Sequence, residues 1–350
     1  MMNRRTLLLP LVPLYGAILR AKRRLLEKGK LKTNTLDGAV ISTGSISAGG
    51  AGKTPLVLLL ADVLGRRNYA VRILTRGYGR GSSEVERVDQ VGDPRRYGDE
   101  PVMLAQRSGA PVYVGANRYQ AGLMAQNVLS GDTQDVSAGK TVVYLLDDGF
   151  QHRQLARDMD IVLLTRRDVH DVLLPAGNLR EPLSTLKEAD VIVLREEEAE
   201  SLHDFISALT RESGAPPIWT IRRRLNFKLE AGLVVPKRPL AFCGIARPEG
   251  FIGMLEAEGC PPAATVTFGD HHSYGDGDIR RLLKAARERG ADGFLTTEKD
   301  AVKLTKLMRT RLEGIGPLVV PELHLELVDE RGALEQMISA APRLNRRRNR

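Results

Sequence analysis

Long apolar stretches are missing from this chain. No run of eighteen apolar residues occurs, and the mean hydropathy is -0.21, which argues against a polytopic membrane protein. Cysteine is nearly absent: Cys243 and Cys260 are too few for a disulfide framework and show no CxxC metal spacing, so a reduced, cytosolic compartment is expected. The 34 glycines follow no third-position period, which excludes a collagen-like structure. Negative charge is the scarcer sign, with Asp+Glu 43 against Lys+Arg 52 and a net charge of +9. Such a surface suits polyanions, whether nucleic acid, anionic lipid head groups or phosphorylated substrates. What remains is ordinary for folded domains: 42% hydrophobic and 27% charged residues, in 350 positions that accommodate two domains or one with a large appendage.

Basic residues crowd both ends. The stretch from Thr6 to Leu19 is almost wholly apolar, flanked by Arg4-Arg5 and by Arg20, Lys22, Arg23 and Arg24. It is shorter than the roughly twenty residues a bilayer span needs. A secretory signal shares this outline, but a basic cluster stands where a small-residue cleavage site belongs. Beyond Pro13, Leu14, Ile18, Ala21 and Leu25 recur at helical spacing, with Tyr15, Leu19 and Leu26 beside them. The pattern predicts an amphipathic helix in the interface of an anionic membrane; the alternative is a helix packed on its own domain. The tail after Pro342, 343–350, carries five arginines and no apolar pattern, and reads as disordered.

From Asp37 onward, short β-type runs alternate with helical ones. Ala39–Ser42, Ala70–Leu74, Pro111–Val114, Thr141–Leu146, Ile161–Leu164 and Val191–Leu194 are near-continuous apolar runs, as expected of a parallel sheet covered on both faces. Between the first strand and a helix over Pro55–Leu64 lies Ser47-Ala48-Gly49-Gly50-Ala51-Gly52-Lys53-Thr54. It matches the Walker A pattern G-x-x-x-x-G-K-[ST] except that Ser47 replaces the first glycine. Glycines let backbone N–H groups converge on phosphate oxygens, aided by the helix dipole. Lys53 is suited to the β- and γ-phosphates and the Thr54 hydroxyl to Mg²⁺. A strand also runs directly into Asp147-Asp148-Gly149. Carboxylates there resemble a Walker B metal site, although Asp-Asp-Gly is also an ordinary turn. The fold class expected is α/β: a P-loop NTPase-like, mostly parallel sheet flanked by helices, with a smaller second α/β domain and an N-terminal amphipathic helix.

At this point the chain resembles a known family, tetraacyldisaccharide 4′-kinase of bacterial lipid A synthesis. The resemblance rests on Ser42–Pro55, Thr75-Arg76-Gly77-Tyr78-Gly79-Arg80, Tyr97-Gly98-Asp99-Glu100-Pro101 and Asp147–His152. Gly177–Pro182, Ala241–Ala246, Phe268-Gly269-Asp270-His271-His272 and Thr297–Lys303 continue it in the same order, over roughly residues 10 to 330. Ser47 is no departure from that family, whereas Ser45 stands where the family usually has Asn.

The resemblance implies transfer of the ATP γ-phosphoryl group, with Mg²⁺, to the 4′-hydroxyl of an acylated glucosamine disaccharide 1-phosphate. It implies a peripheral or monotopic place at the cytoplasmic face of the inner membrane, with that anionic surface as a partner. No nucleic acid is expected as a partner and no obligate protein partner is evident. Asp99, otherwise readable as a helix N-cap, becomes the catalytic base with His271 as its partner. Lys53, Arg118, Arg180 and Glu181 join the catalytic set. Residues 47–54 bind the nucleotide, and Thr54, Asp147 and Asp148 hold metal. Alternatives stay open for several of these. Arg118 also reads as a helix-surface residue, Arg180-Glu181 as a turn salt bridge, His152 as a core histidine, and Asp270-His271-His272 as a cation site. Lys299-Asp300 reads either as a base-reading motif or as a charged helix start.

The pattern changes around Pro216-Pro217-Ile218-Trp219, giving four expected units: residues 1–30, 31–217, 218–342 and the tail 343–350. Two other functions compete: a P-loop NTPase switch or metallochaperone, for which an acidic tract is lacking, and a membrane scaffold with a vestigial nucleotide site.

Overall fold

Alternate residues of a β-strand face opposite sides of its sheet. Runs that are apolar at every position therefore demand cover on both sides. The computed structural model supplies it. It describes residues 4–29, 32–129, 139–211, 215–227 and 234–341, so the basic tail lies outside the described residues.

Thirteen described strands form two sheets. Strands β1 (Ala39–Gly44), β2 (Ala70–Thr75), β3 (Glu86–Arg87), β4 (Val112–Val114), β5 (Val142–Leu146), β6 (Met159–Leu163), β7 (Val191–Arg195) and β8 (Ile218–Asn226) lie in the first. Strands β9 (Pro239–Cys243), β10 (Ala264–Thr267), β11 (Gly293–Thr296) and β12 (Leu318–Val319) form the second, and β13 (Glu322–Leu327) rejoins the first. The larger sheet runs β13-β8-β7-β6-β1-β5-β2-β4-β3, antiparallel only at its two edge pairs. The smaller, all parallel, runs β10-β9-β11-β12.

Helix α1 (Val12–Glu27) follows a 3₁₀ stretch, Arg4–Leu11, and precedes the sheet. On one face of the larger sheet, Ile41, Ile73, Leu145, Ile161 and Val193 pack under α2 (Lys53–Arg66) and the C-terminal helix Glu330–Ala340. On the other, Val40, Leu74, Tyr144 and Leu146 pack with Ala121 and Ala125 of α5 (Arg118–Leu129). Between them in the chain lie α3 (Pro94–Tyr97) and α4 (Asp99–Ser108).

The expected boundary at 217/218 assigns β8 and β13 to the smaller unit. Both pair instead into the larger sheet: Trp219 lies opposite Val193, and Glu322 opposite Asn226. The reason is apolar: Trp219, Ile221, Leu325 and Leu327 share the core under the C-terminal helix. Charged outward residues of β8 obscure this in the sequence. By sheet membership the smaller lobe spans 239–319, inserted between two adjacent strands of the larger one.

Candidate active site

Strand β1 sits at the centre of the larger sheet, and at its carboxyl end the chain turns into α2 through the glycine loop. Gly49, Gly50 and Gly52 adopt φ of +70°, +62° and +98°, a region that side chains resist. Gly52 is the N-cap of α2, so Lys53 and Thr54 open the helix. Ser45 Oγ donates to Ser47 O at 2.8 Å and accepts from Lys53 Nζ at 3.3 Å. The residue that departs from the family pattern thus braces the loop and its lysine. The backbone at Ser47 pairs with Leu179, and Ala48 N donates to Asn178 O at 2.8 Å. The segment 177–181 thereby lies along the phosphate loop.

The adjacent strand β5 delivers Asp147 and Asp148. Asp147 is buried; Thr75 Oγ1 donates to its Oδ2 at 2.9 Å, while Oδ1 has no hydrogen-bond partner. Burial, reinforced by Glu100 and Asp148, pushes its pKa up to about 7. An orphaned, reluctant carboxylate oxygen beside a threonine hydroxyl is a hard-donor site suited to Mg²⁺, which keeps much of its own water. Asp148 is committed differently. Arg180 grips both its oxygens at 2.8 and 2.6 Å, and Lys53 Nζ lies 3.5 Å away. Burial alone raises its pKa, but Arg180 and Lys53 hold it well below the carboxylate range.

Arg118 starts α5 as a buried residue, not a surface one, and donates to the Ala116 carbonyl at 2.9 Å. Its Nε is unpartnered, and burial brings its pKa down to about 10. Arg180 and Glu181 form no salt bridge with each other: Glu181 faces Arg23 of α1 at 3.5 Å. Tyr15 Oη donates to Arg180 O at 3.1 Å, and Arg5 to Asn178 Oδ1 at 2.7 Å. The N-terminal helix is docked on the 177–181 segment, yet Leu7, Leu11, Leu14 and Ile18 are 69%, 47%, 61% and 57% exposed. Among the described residues no helix is long and apolar enough to cross a membrane.

Across a cleft of about 1280 Å³ the smaller lobe presents the loop after β10. His271 has φ +57°, and its Nδ1 lies 3.2 Å from Asp99 Oδ2, joining residues 172 positions apart. Asp99 is not an N-cap, a place Gly98 takes; it is the first residue of α4 and is 6% exposed. Its own burial raises its pKa, but the His271 hydrogen bond, with Lys299 and Lys303, brings it below the usual value. His272 points away, its Nε2 3.1 Å from Asp278 Oδ2 and its ring stacked on Phe268. Among the described residues no three His, Cys, Asp or Glu side chains converge as a metal cluster, so the Asp270-His271-His272 cation reading finds no support.

Two further arginines touch the loop. Arg195 Nη2 donates to Ala51 O at 2.6 Å. Arg247, from the smaller lobe, lies against Gly50 and donates to Thr165 Oγ1 at 3.1 Å. Arg195 ends an apolar strand at its carboxyl end, the signal that singles out Asp147. Arg247 has no such mark.

Lys53, Thr54, Asp148 and His271 line the same cleft, which has room on one side of the phosphate loop for a triphosphate and on the other for an acceptor. That is the working arrangement of a P-loop kinase. Comparison with known proteins narrows the class: the family model for tetraacyldisaccharide-1-P 4′-kinase matches residues 4–342, and the chain belongs to that family. A tetraacyldisaccharide 4′-kinase of Koribacter versatilis is 38% identical over 341 residues, covering 95% of this chain and 98% of the relative. One of Geobacter metallireducens is 37% identical over 330 residues, covering 90% and 92%. An LpxK from Aquifex aeolicus, solved in complex with ATP, superposes with a TM-score of 0.71 at 30% identity, covering 97% of this chain and all of that one.

Proposed function

We propose that this kinase transfers the γ-phosphoryl group of ATP to the 4′-hydroxyl of a tetraacylated glucosamine disaccharide 1-phosphate, with Asp99 as base. The observation that carries the assignment of the base is the Asp99–His271 contact at 3.2 Å, made by a residue of each lobe beside the phosphate loop. Backbone N–H groups of residues 47–54 and the Lys53 ammonium hold the β- and γ-phosphates. Mg²⁺, when bound, supplies charge neutralisation between those phosphates, and Thr54 and Asp147 would hold it, with Asp148 behind them. Arg180 keeps Asp148 ionised and fixes its rotamer. Arg118, buried and partly unsatisfied, supplies positive charge beside the acidic pair. Asp99 accepts the proton of the attacking hydroxyl, and His271 orients it. Glu181 seats the N-terminal helix through Arg23. Because Asp99 is buried, acceptor entry requires the smaller lobe to swing, which makes lobe motion part of turnover.

The acceptor's acyl chains stay in a bilayer. The exposed leucines of the N-terminal helix and their basic flanks supply partition energy and attraction to anionic lipid. The site therefore works peripherally on the inner membrane's cytoplasmic face.

The test is incubation with labelled ATP and the tetraacyl disaccharide 1-phosphate, followed by lipid extraction. Label is expected in the 1,4′-bisphosphorylated product, and Lys53→Ala should lose roughly a hundredfold or more. Asp99→Ala and His271→Ala should each cut turnover with little change in ATP binding. Their double variant should be little worse than the poorer single one, because residues acting as a unit are non-additive. Losses that multiply would break the pair apart, and a sensitive His272→Ala would move the role to its neighbour.

A further inference from the structure

The Lys299-Asp300 pair does not read a nucleobase through its carboxylate. Asp300 is fully buried: its Oδ2 accepts from Gly244 N at 2.9 Å and Thr297 Oγ1 at 2.6 Å, and Oδ1 pairs with Lys303 at 2.8 Å. Thr297, the true N-cap, uses its side chain on Asp300 N. Lys299 is the residue that reaches the cleft. Its ammonium lies 3.1 Å from Glu100 Oε1, 3.3 Å from Asp270 Oδ1 and 3.3 Å from His271 Nε2. An ammonium has three protons to donate and no acceptor site, and three acceptors converge on this one. Glu100 belongs to α4 of the larger lobe, the other two to the smaller, so Lys299 bridges the lobes at the catalytic pair.

The imidazole of His271 is thus held between an ionised carboxylate on Nδ1 and an ammonium on Nε2. Only one arrangement satisfies both neighbours: Nδ1–H donates to Asp99, and a bare Nε2 accepts from Lys299. We propose that Lys299 is a positioning residue that keeps His271 in the neutral Nδ1–H tautomer, so that no imidazolium forms beside Asp99. The inference rests on the reading of Asp99 as the base. With Nε2 released, a second proton enters. An imidazolium at hydrogen-bond distance then stabilises the carboxylate charge and weakens it as a proton acceptor.

The charged neighbours of His271 define the direction of the effect. Asp99 faces it from α4, Asp270 from its own loop and Lys299 from the segment after β11, while Glu100 pairs with Lys299 and Lys303 with Asp99 behind them; the Tyr78 ring lies 5.0 Å away. The Asp99 hydrogen bond holds the His271 pKa above its ordinary value, while burial and Lys299 oppose that rise. Removing Lys299 deletes an opposing charge and leaves Glu100 and Asp270 unneutralised. Both changes move the imidazole further toward its protonated form.

The experiment is kcat against pH for the full chain and its Lys299→Met and Lys299→Arg variants, with ATP and detergent-dispersed acceptor. In Lys299→Met the acidic limb should move about one unit to higher pH, with turnover near neutrality about tenfold lower and KM for ATP changed less than about twofold. Lys299→Arg, which keeps the charge, should return the limb toward the wild-type position. Ring nitrogen NMR of His271 in the wild-type protein should show Nδ1–H and a bare Nε2 at neutral pH. A limb that stays in place while only the melting temperature falls makes Lys299 a strut and overturns the proposal. A raised KM for ATP with an unmoved limb overturns it in favour of nucleotide contact. If Lys299→Met does not fold, an Nε2–H tautomer in the wild type overturns it on its own. Full turnover in Asp99→Asn sinks the underlying assignment of the base instead, and is scored separately.

Discussion

His152 stands just beyond the acidic pair, its Nε2 buried and without a hydrogen-bond partner. Burial, then repulsion from Arg118 and Arg157, pushes its pKa from 6.5 to about 4. Between these values the unfolded chain binds a proton that the folded chain refuses, so stability falls as pH falls through that window and is fully present above about 6.5. The melting temperature should drop over this range, and His152→Gln should lessen the drop; an unaltered slope would clear His152 of the effect. Gly44 makes a second prediction. A methyl group there would stand 2.4 Å from Phe150 Cβ and 2.9 Å from its backbone nitrogen. Gly44→Ala should cost about 1–3 kcal/mol in urea unfolding and displace the Asp147 loop, visible as weakened Mg²⁺ dependence. Single residues differ in how far the sequence exposes them. The phosphate loop is legible because its chemistry is packed into consecutive positions. Asp99 and His271 are not, since nothing local distinguishes a base from an N-cap, and only the family resemblance joins them. Arg247 carries no local mark, and the contacts of Arg23, Arg195 and Lys299 are not legible either, because each acquires a partner from a distant segment.

The proposed bilayer contact of helix α1 and its docking on the larger lobe, which the sequence presents as rivals, use different sides of the helix. Its exposed apolar side, Leu14 and Ile18 included, is free for a bilayer, while Arg23 donates to Thr185 at 3.0 Å and pairs with Glu188 at 2.6 Å. The roles are separable by mutation. Replacing Leu14 and Ile18 together with Glu should reduce cosedimentation with anionic vesicles and leave turnover on detergent-dispersed acceptor nearly unchanged. Arg23→Met should instead lower turnover in both assays, because it loosens the contact to Glu181 beside Arg180. Equal losses for the two variants would mean the helix has a single role. Strands are where element-level reading from sequence works well and then stops. Apolar runs locate β1, β2, β5, β6 and β7, since both faces are buried. They do not locate the partnership of β8 with β13, whose outward faces carry Arg222 and Arg224 against Glu326 and mimic an exposed hairpin.

The lobes are also joined away from the Asp99–His271 contact. Arg107 of α4 reaches Glu298 of the smaller lobe at 2.5 Å and Glu322 of β13 at 3.7 Å, and Glu298 accepts from Leu323 N at 3.0 Å. Burial raises the Glu298 pKa, with Arg107 opposing. Removing the arginine leaves a mostly buried carboxylate short of its cation, so Arg107→Met should cost about 1–3 kcal/mol. Hydrogen exchange should rise at Leu323 first; protection that is unchanged there would show the clasp to be dispensable. The insertion of the smaller lobe has one more consequence, and it concerns the order of synthesis. The strand that completes the larger sheet, and the helix that meets it with Trp219 bonded to Gln336, are made only after the whole smaller lobe. Until they emerge from the ribosome, β8 is left as a bare edge with its apolar side uncovered, a template for wrong pairing. The phosphate loop is translated well before them, so the sheet that holds it stays open until the smaller lobe has been made.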